Sequence, residues 1–304
     1  MALEGILARV PEDDEALVHL AQCQLRRGRA AAAIDALDRA ERRTGTTRFT
    51  AQLRGDVLYK LRRYADAARC YRDASALGHA GSWPLARLAR CLMHLDDLDG
   101  ARQAATIAVE RDPAATDGWV VRGEVALAMD EPDEAEVMLA RAHEQDPKNG
   151  YAYAKLVEAR LLALPPESRD RELRVLLKST GSGNRHLLQV LARLQGRMGD
   201  ADAAAGTWRR SRQGSDDDFA LKMEAYALRK AGKLADAAAA MRQSLLDDPQ
   251  DVILFRTYVR LQHEREALDE LRRTLEELLP TAGSRRGAVY GELRKLSGAR
   301  PRPD

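Results

Sequence analysis

The sequence predicts an all-α solenoid of antiparallel helix pairs. Three observations lead there: small residues recur every 34 positions, the composition favours helix, and turn residues separate the apolar stretches at the same interval. Ala33, Ala67, Ala101 and Ala135 form one column, and Ala40, Ala74, Ala108 and Ala142 a second. A third, twelve positions before the first, holds Ala21, Gly55, Ala89 and Gly123. A fourth, Leu37, Tyr71, Ala105 and Leu139, is mostly large.

The spacing has a physical cause. Helices pack with axes roughly 8–10 Å apart, and close approach needs small side chains at the crossing. Each repeat therefore reads as a helix A followed by a helix B. The Ala21 column falls on A and the Ala33 column on B, where the two cross. The Ala40 column lies late on B, where the next pair docks. Gly28-Arg29, Arg63-Tyr64, Asp97-Leu98 and Glu131-Pro132 fall between the helices, and Asp112-Pro113 and Asp146-Pro147 end helix B because proline cannot continue it.

A 34-residue helix–turn–helix carrying Trp119, Gly123, Ala135, Leu139, Ala142 and Pro147 resembles the tetratricopeptide repeat (TPR). The resemblance implies a right-handed superhelix whose concave face is lined by the A helices. In this register the repeats span 14–47, 48–81, 82–115 and 116–149. The fifth, 150–184, departs at Leu164-Pro165-Pro166, and Arg169 replaces the small residue. A longer loop and an irregular helix over 168–179 are expected there, with a turn at Gly181-Ser182-Gly183. Repeats resume at 185–217 and 218–251, followed by a degenerate eighth at 252–284, where Val259 and Leu271 replace small residues, and a capping helix over 285–297. The tail, 298–304, is expected to be disordered. Residues 2–10 match only the B half of a repeat, which reads as a minimal cap or as a piece of a longer array.

Composition bounds the function. The 304 residues are 45% apolar and 32% charged, enough to fold around a large core. Arginine far outnumbers lysine, which fits a GC-rich bacterial genome. The net charge of +2, with interspersed signs, makes no electrostatic case for nucleic acid. No stretch is long and apolar enough to span a membrane. Glu4 stands where a secretion signal would be positive and then apolar. The expected compartment is the cytoplasm, or the periplasm if a signal peptide has been removed. Cys23, Cys70 and Cys91 lack metal or redox spacing and read as structural thiols in a reducing compartment.

The chain carries no metalloprotease, phosphate-loop, nucleophile-elbow or paired-cysteine motif. Its six histidines are scattered without metal-ligand spacing. Thr180 to Asn184 lacks the strand and lysine of a phosphate loop. Asp216, Asp217 and Asp218 suit a helix N-terminus better than a calcium loop. The expectation is a non-catalytic scaffold without cofactor, metal or small-molecule substrate. Alternatives are a periplasmic component of an envelope or exopolysaccharide export assembly, or the TPR arm of a larger enzyme.

The resemblance also implies which residues face the groove. In TPR proteins these stand one, four, eight, eleven and twelve positions after the first residue of each repeat. Carried over, they give among others Phe49 and Tyr59 in repeat 2, Trp83, Arg90, Met93 and His94 in repeat 3, and Arg193 and Arg197 in repeat 6. Repeat 7 adds Lys222, Tyr226, Arg229 and Lys230, and repeat 8 adds Arg256 and Arg260. An aromatic patch and a basic stretch follow, suited to a peptide or protein that is apolar at one end and acidic at the other. The paired lysines and asparagines of chaperone-binding TPR domains are missing. The weak eighth repeat leaves an open end through which the array could self-associate.

Overall fold

The computed structural model describes residues 14–77, 81–181, 184–213 and 217–297. Among the described residues are seventeen α-helices, one short 3-10 helix and no strand. The first sixteen are the A and B helices of eight successive repeats. They are α1 (Asp14–Arg26) with α2 (Ala30–Thr44), α3 (Arg48–Lys60) with α4 (Tyr64–Ala76), α5 (Trp83–His94) with α6 (Leu98–Arg111), and α7 (Thr116–Ala128) with α8 (Pro132–Gln145). Next in sequence come α9 (Gly150–Ala163) and α10 (Pro166–Ser179), the two helices of the fifth repeat, then α11 (Arg185–Arg197) with α12 (Ala201–Ser211), α13 (Asp218–Lys230) with α14 (Leu234–Asp247), and α15 (Val252–Glu264) with α16 (Leu268–Leu278). The 3-10 turn Gly283–Arg285 leads into the capping helix α17 (Arg286–Leu296). The expected helix over 2–10 and the tail 298–304 lie outside the described residues, as does most of the Gly181-Ser182-Gly183 turn.

The pairs are closed by one recurring turn. A single left-handed residue follows helix A in seven of the eight: Gly28, Arg62, Asp96, Asp130, Gly199, Gly232 and Glu266, with φ between 56° and 91°. The next amide donates to the carbonyl five residues back, as in Arg63 to Leu58 at 2.9 Å and Asp97 to Leu92 at 3.0 Å. This 6→1 bond satisfies a helix-end carbonyl that would otherwise be orphaned.

The fifth pair breaks the pattern. The sequence predicts a longer loop before an irregular helix over 168–179; instead the connection is only Leu164 and Pro165, and α10 is continuous from Pro166. Proline forces the residue before it into extended backbone, and Leu164 sits at φ −75°, ψ 148°. No left-handed turn can form there. Pro166 starts α10 because the first helical position needs no amide donor. Leu173, in the large fourth column, is the buried residue of this helix.

The small columns are fully buried. Ala33, Ala67, Ala101 and Ala135 are sealed from solvent, as are Ala40, Ala74, Ala108 and Ala142. Across each pair a small A-helix residue faces a larger B-helix residue. Gly55 meets Tyr71 and Gly123 meets Leu139, so that a β-carbon on either glycine would collide. Further on, Ala192 packs with Trp208, and Ala225 shares a core cluster with Met241. The eighth pair forms complete helices despite Val259 and Leu271, with Leu271 and Leu275 both sealed.

The helices divide into two compact units, Met1–Pro166 and Glu167–Asp304. In the first, cross-repeat contacts bring successive A–B turns together along one edge. Lys60 Nζ donates to the Leu25 carbonyl at 3.3 Å, the Tyr64 and His94 rings stack at 4.1 Å, and Arg102 Nε contacts Met129 Sδ at 3.1 Å. The turns of repeats 1 and 2 carry Arg26, Arg27, Arg29, Lys60, Arg62 and Arg63. Those of repeats 3 and 4 carry Asp96, Asp97, Asp99, Asp130, Glu131 and Asp133.

Candidate functional site

A cleft of about 660 Å³ opens in the first compact unit, lined by Tyr59, Arg87, Arg90, Met93, His94, Asp117, Glu124, Ala128, Tyr151 and Lys155. These side chains come from α3, α5, α7 and α9, four consecutive A helices. Burial of the small columns brings these helices close enough for their outward faces to converge.

A charged network crosses the cleft. Glu124 is 8% exposed, accepting from Arg90 Nε at 2.8 Å through one oxygen and from the Tyr151 hydroxyl through the other. Burial opposes the Arg90 charge, but Glu124 outweighs it, so the guanidinium is held above its ordinary range. Lys155 Nζ donates to the buried Glu158 at 2.8 Å. Both lysine and arginine are thus fixed by carboxylates beneath them. Such buried pairs position groups more than they stabilise the fold.

An aromatic cluster closes one end. The Tyr59 hydroxyl and His94 Nε2 are 3.0 Å apart, and Tyr64 lies edge-on to Tyr59 with ring centroids 5.4 Å apart. Burial raises the Tyr59 phenol, and burial together with Arg62 lowers the His94 imidazole. Arg87 differs from its neighbours. Its guanidinium lies 5.0 Å over Trp83, and its Nε is shut off from solvent without a hydrogen-bond acceptor.

Of the groove residues implied by the resemblance, the cleft gathers Tyr59, Arg90, Met93 and His94. Trp83 stands behind Arg87, edge-on to Tyr71 at 5.9 Å. Phe49 is 61% exposed beside Arg48 and does not line the cleft. Asp117, Glu124, Ala128 and Tyr151 were absent from that set. They occupy the one-, eight- and twelve-position offsets of repeats 4 and 5, so the same spacing rule finds them once those repeats are included.

In the second compact unit many of the cations are already partnered. Lys222 Nζ lies 2.9 Å from Asp251, and Arg229 and Arg260 share Glu264 at 3.1 and 3.3 Å. Lys230 donates to the Gly196 carbonyl at 3.1 Å. Arg193 is half-buried, Arg197 and Arg256 are exposed, and Tyr226 packs partly against the core. Among the described residues no group of three or more histidine, cysteine, aspartate or glutamate side chains could hold a metal ion. No helix among them is long and apolar enough to cross a membrane.

Comparison with known proteins agrees with this architecture. The family model described as tetratricopeptide repeat matches residues 53–116 and 87–150, and that described as anaphase-promoting complex, cyclosome, subunit 3 matches residues 2–74. No curated protein matches the chain. Among solved structures, a tetratricopeptide repeat protein from Parabacteroides merdae superposes with a TM-score of 0.54 at 14% identity, covering 82% of this chain and 98% of its own. A thermophilic TPR protein from Thermus thermophilus gives 0.48 at 18% identity over 71% of this chain and 98% of its own. The former shows the shared fold. The repeat register, the recurring turn and the matching family models together make the chain a member of the tetratricopeptide-repeat family.

Proposed function

We propose that the chain is a non-catalytic protein-interaction scaffold that holds an extended segment of a partner protein in the cleft of repeats 2–5. The observation that carries this is the convergence of side chains from four consecutive A helices on one open cleft. Such a surface offers a row of polar and aromatic contacts at repeat spacing, matching an extended chain better than a compact small molecule. Its charges are mixed, so the favoured segment alternates acidic and basic or polar groups. The partnered cations of the second unit weaken the case for a strongly acidic ligand there.

The thiols support a reducing compartment. Cys23, Cys70 and Cys91 are free, and burial raises Cys70 and pushes Cys91 up to about 12, which keeps both as inert thiols. We place the protein in the cytoplasm on that ground.

Selection from a displayed peptide library against the full chain tests the binding role. Enriched peptides should lose binding to Arg87→Glu and Tyr151→Ala variants whose helical circular dichroism is unchanged. Retention by both variants, or no enrichment at all, would reject the cleft as the binding site.

A further inference from the structure

The edge formed by the A–B turns of the first compact unit changes sign along its length. Repeats 1 and 2 present arginine and lysine, while repeats 3 and 4 present aspartate and glutamate, at equivalent positions of the same turn. Position by position, Arg62 corresponds to Asp96 and Asp130, and Arg29 and Arg63 correspond to Asp97 and Glu131. Arg27, Arg29, Arg62, Asp96, Asp99 and Asp130 are exposed, with no ion-pair partner among the described residues. The minority charges, Asp66 in the basic wing and Arg102 in the acidic wing, are each paired inside their own wing. Where the sign changes stand two leucines at equivalent turn positions, Leu61 at 46% and Leu95 at 44% exposure.

We propose that this edge is a self-complementary interface for a second copy of the chain. A two-fold axis between Leu61 and Leu95 sets the basic turns of each copy against the acidic turns of the other. Repeat 1 then faces the partner copy's repeat 4, and repeat 2 faces its repeat 3. The leucines meet at the centre and the charges flank them, the usual arrangement of an apolar core within a polar rim. A single patch meeting itself across a two-fold axis is the isologous contact that closes a dimer. Like charges crowded along one wing repel, and pairing with the opposite wing relieves both wings at once. The proposal is argued from the turn edge and not from the cleft, whose end residues Tyr59, Met93 and His94 adjoin the central leucines.

Sedimentation and light scattering on the full chain test it. At low salt and concentrations on the order of 100 µM, where a weak interface populates, the mass should be twice 33.7 kDa. At about 1 M salt, where screening acts within about 3 Å, it should fall toward the single-chain value. The R27E/R29E/R62E variant turns the three unpaired cations of the basic wing into carboxylates, and D96K/D99K/D130K turns the three unpaired carboxylates of the acidic wing into cations. Each alone should be monomeric, and an equal mixture should regain the doubled mass. Arg62 already adopts the left-handed turn conformation at φ 58°, so lysine at the Asp96 and Asp130 positions is accommodated. L61S supplies a second, uncharged disruption that should also give the single-chain mass. A wild-type mass of one chain at low salt, a dimer that survives either charge reversal, or a mixture that stays monomeric would each overturn the proposal.

Discussion

Tyr71 lies across Gly55, its ring carbons 2.7–3.0 Å from where a β-carbon on that glycine would stand. Two repeats later Leu139 stands in the same relation to Gly123, at 2.5 Å. Where the B-helix residue is small, as at Ala105, the A-helix partner is Ala89 and no glycine is required. The pair conserves space across the helix crossing, and either member can be the large one only if the other gives way.

Two glycines should therefore respond in opposite directions. Gly123→Ala gains up to about 1 kcal/mol of helix propensity but forces Leu139 aside at roughly 1–3 kcal/mol, so a net loss of about 1–2 kcal/mol is expected. Gly206, inside α12, has nothing within 4 Å of an added β-carbon. Gly206→Ala should stabilise by about 0.5–1 kcal/mol. Urea midpoints for both variants check the pair of signs.

Ala135 tests the register itself. It is fully buried at the crossing of α7 and α8. Ala135→Leu adds three heavy atoms where none fit and should cost roughly 1–3 kcal/mol. A neutral denaturation midpoint would contradict the packing described.

Glu124 anchors the cleft. Glu124→Ala takes from Arg90, 23% exposed, its carboxylate and from the Tyr151 hydroxyl one hydrogen bond. The partial exposure of Arg90 reduces the penalty below that of a fully buried pair, to about 2 kcal/mol. Thermal melting reports the loss, and a double-mutant cycle with Arg90→Ala isolates the coupling between the two.

His94 imposes a pH dependence. Its folded pKa lies below the unfolded one, because burial and then Arg62 disfavour the imidazolium. The folded chain thus binds that proton less well than the unfolded chain. The associated stability is complete above about pH 6.5 and is lost as pH falls through the folded value. His186 shifts the same way, through burial and Arg185. In urea titrations from about pH 7.5 to about pH 5, His94→Asn should lose less stability than the wild type.

Much of the fold is legible in the sequence because its cause is local and periodic. Three small columns at one spacing specify which faces touch, and the helix limits follow from the turns between them. The fifth pair is misread because two prolines look like a loop, whereas the first proline acts on Leu164 and the second begins a helix. The cleft is half legible. The spacing rule reaches Tyr59, Arg90, Met93 and His94, and it would reach Asp117, Glu124, Ala128 and Tyr151 in repeats 4 and 5, but it misses Arg87 and Lys155, each five positions into its repeat. Whether Glu264 turns toward Arg229 and Arg260 is a matter of side-chain rotamers between neighbouring helices, which periodicity does not encode.

The Leu164–Pro165 connection has a thermodynamic consequence. In a stacked array each pair is stabilised by its neighbours, so cooperativity passes along the chain only as far as those interfaces are strong. The one connection from helix A to helix B without a left-handed residue falls where the chain passes from the first compact unit to the second. Heating should then melt two blocks in succession, each with its own enthalpy, and calorimetry should show a van't Hoff enthalpy smaller than the calorimetric one. A single melting temperature assigned to this protein would average two separate events.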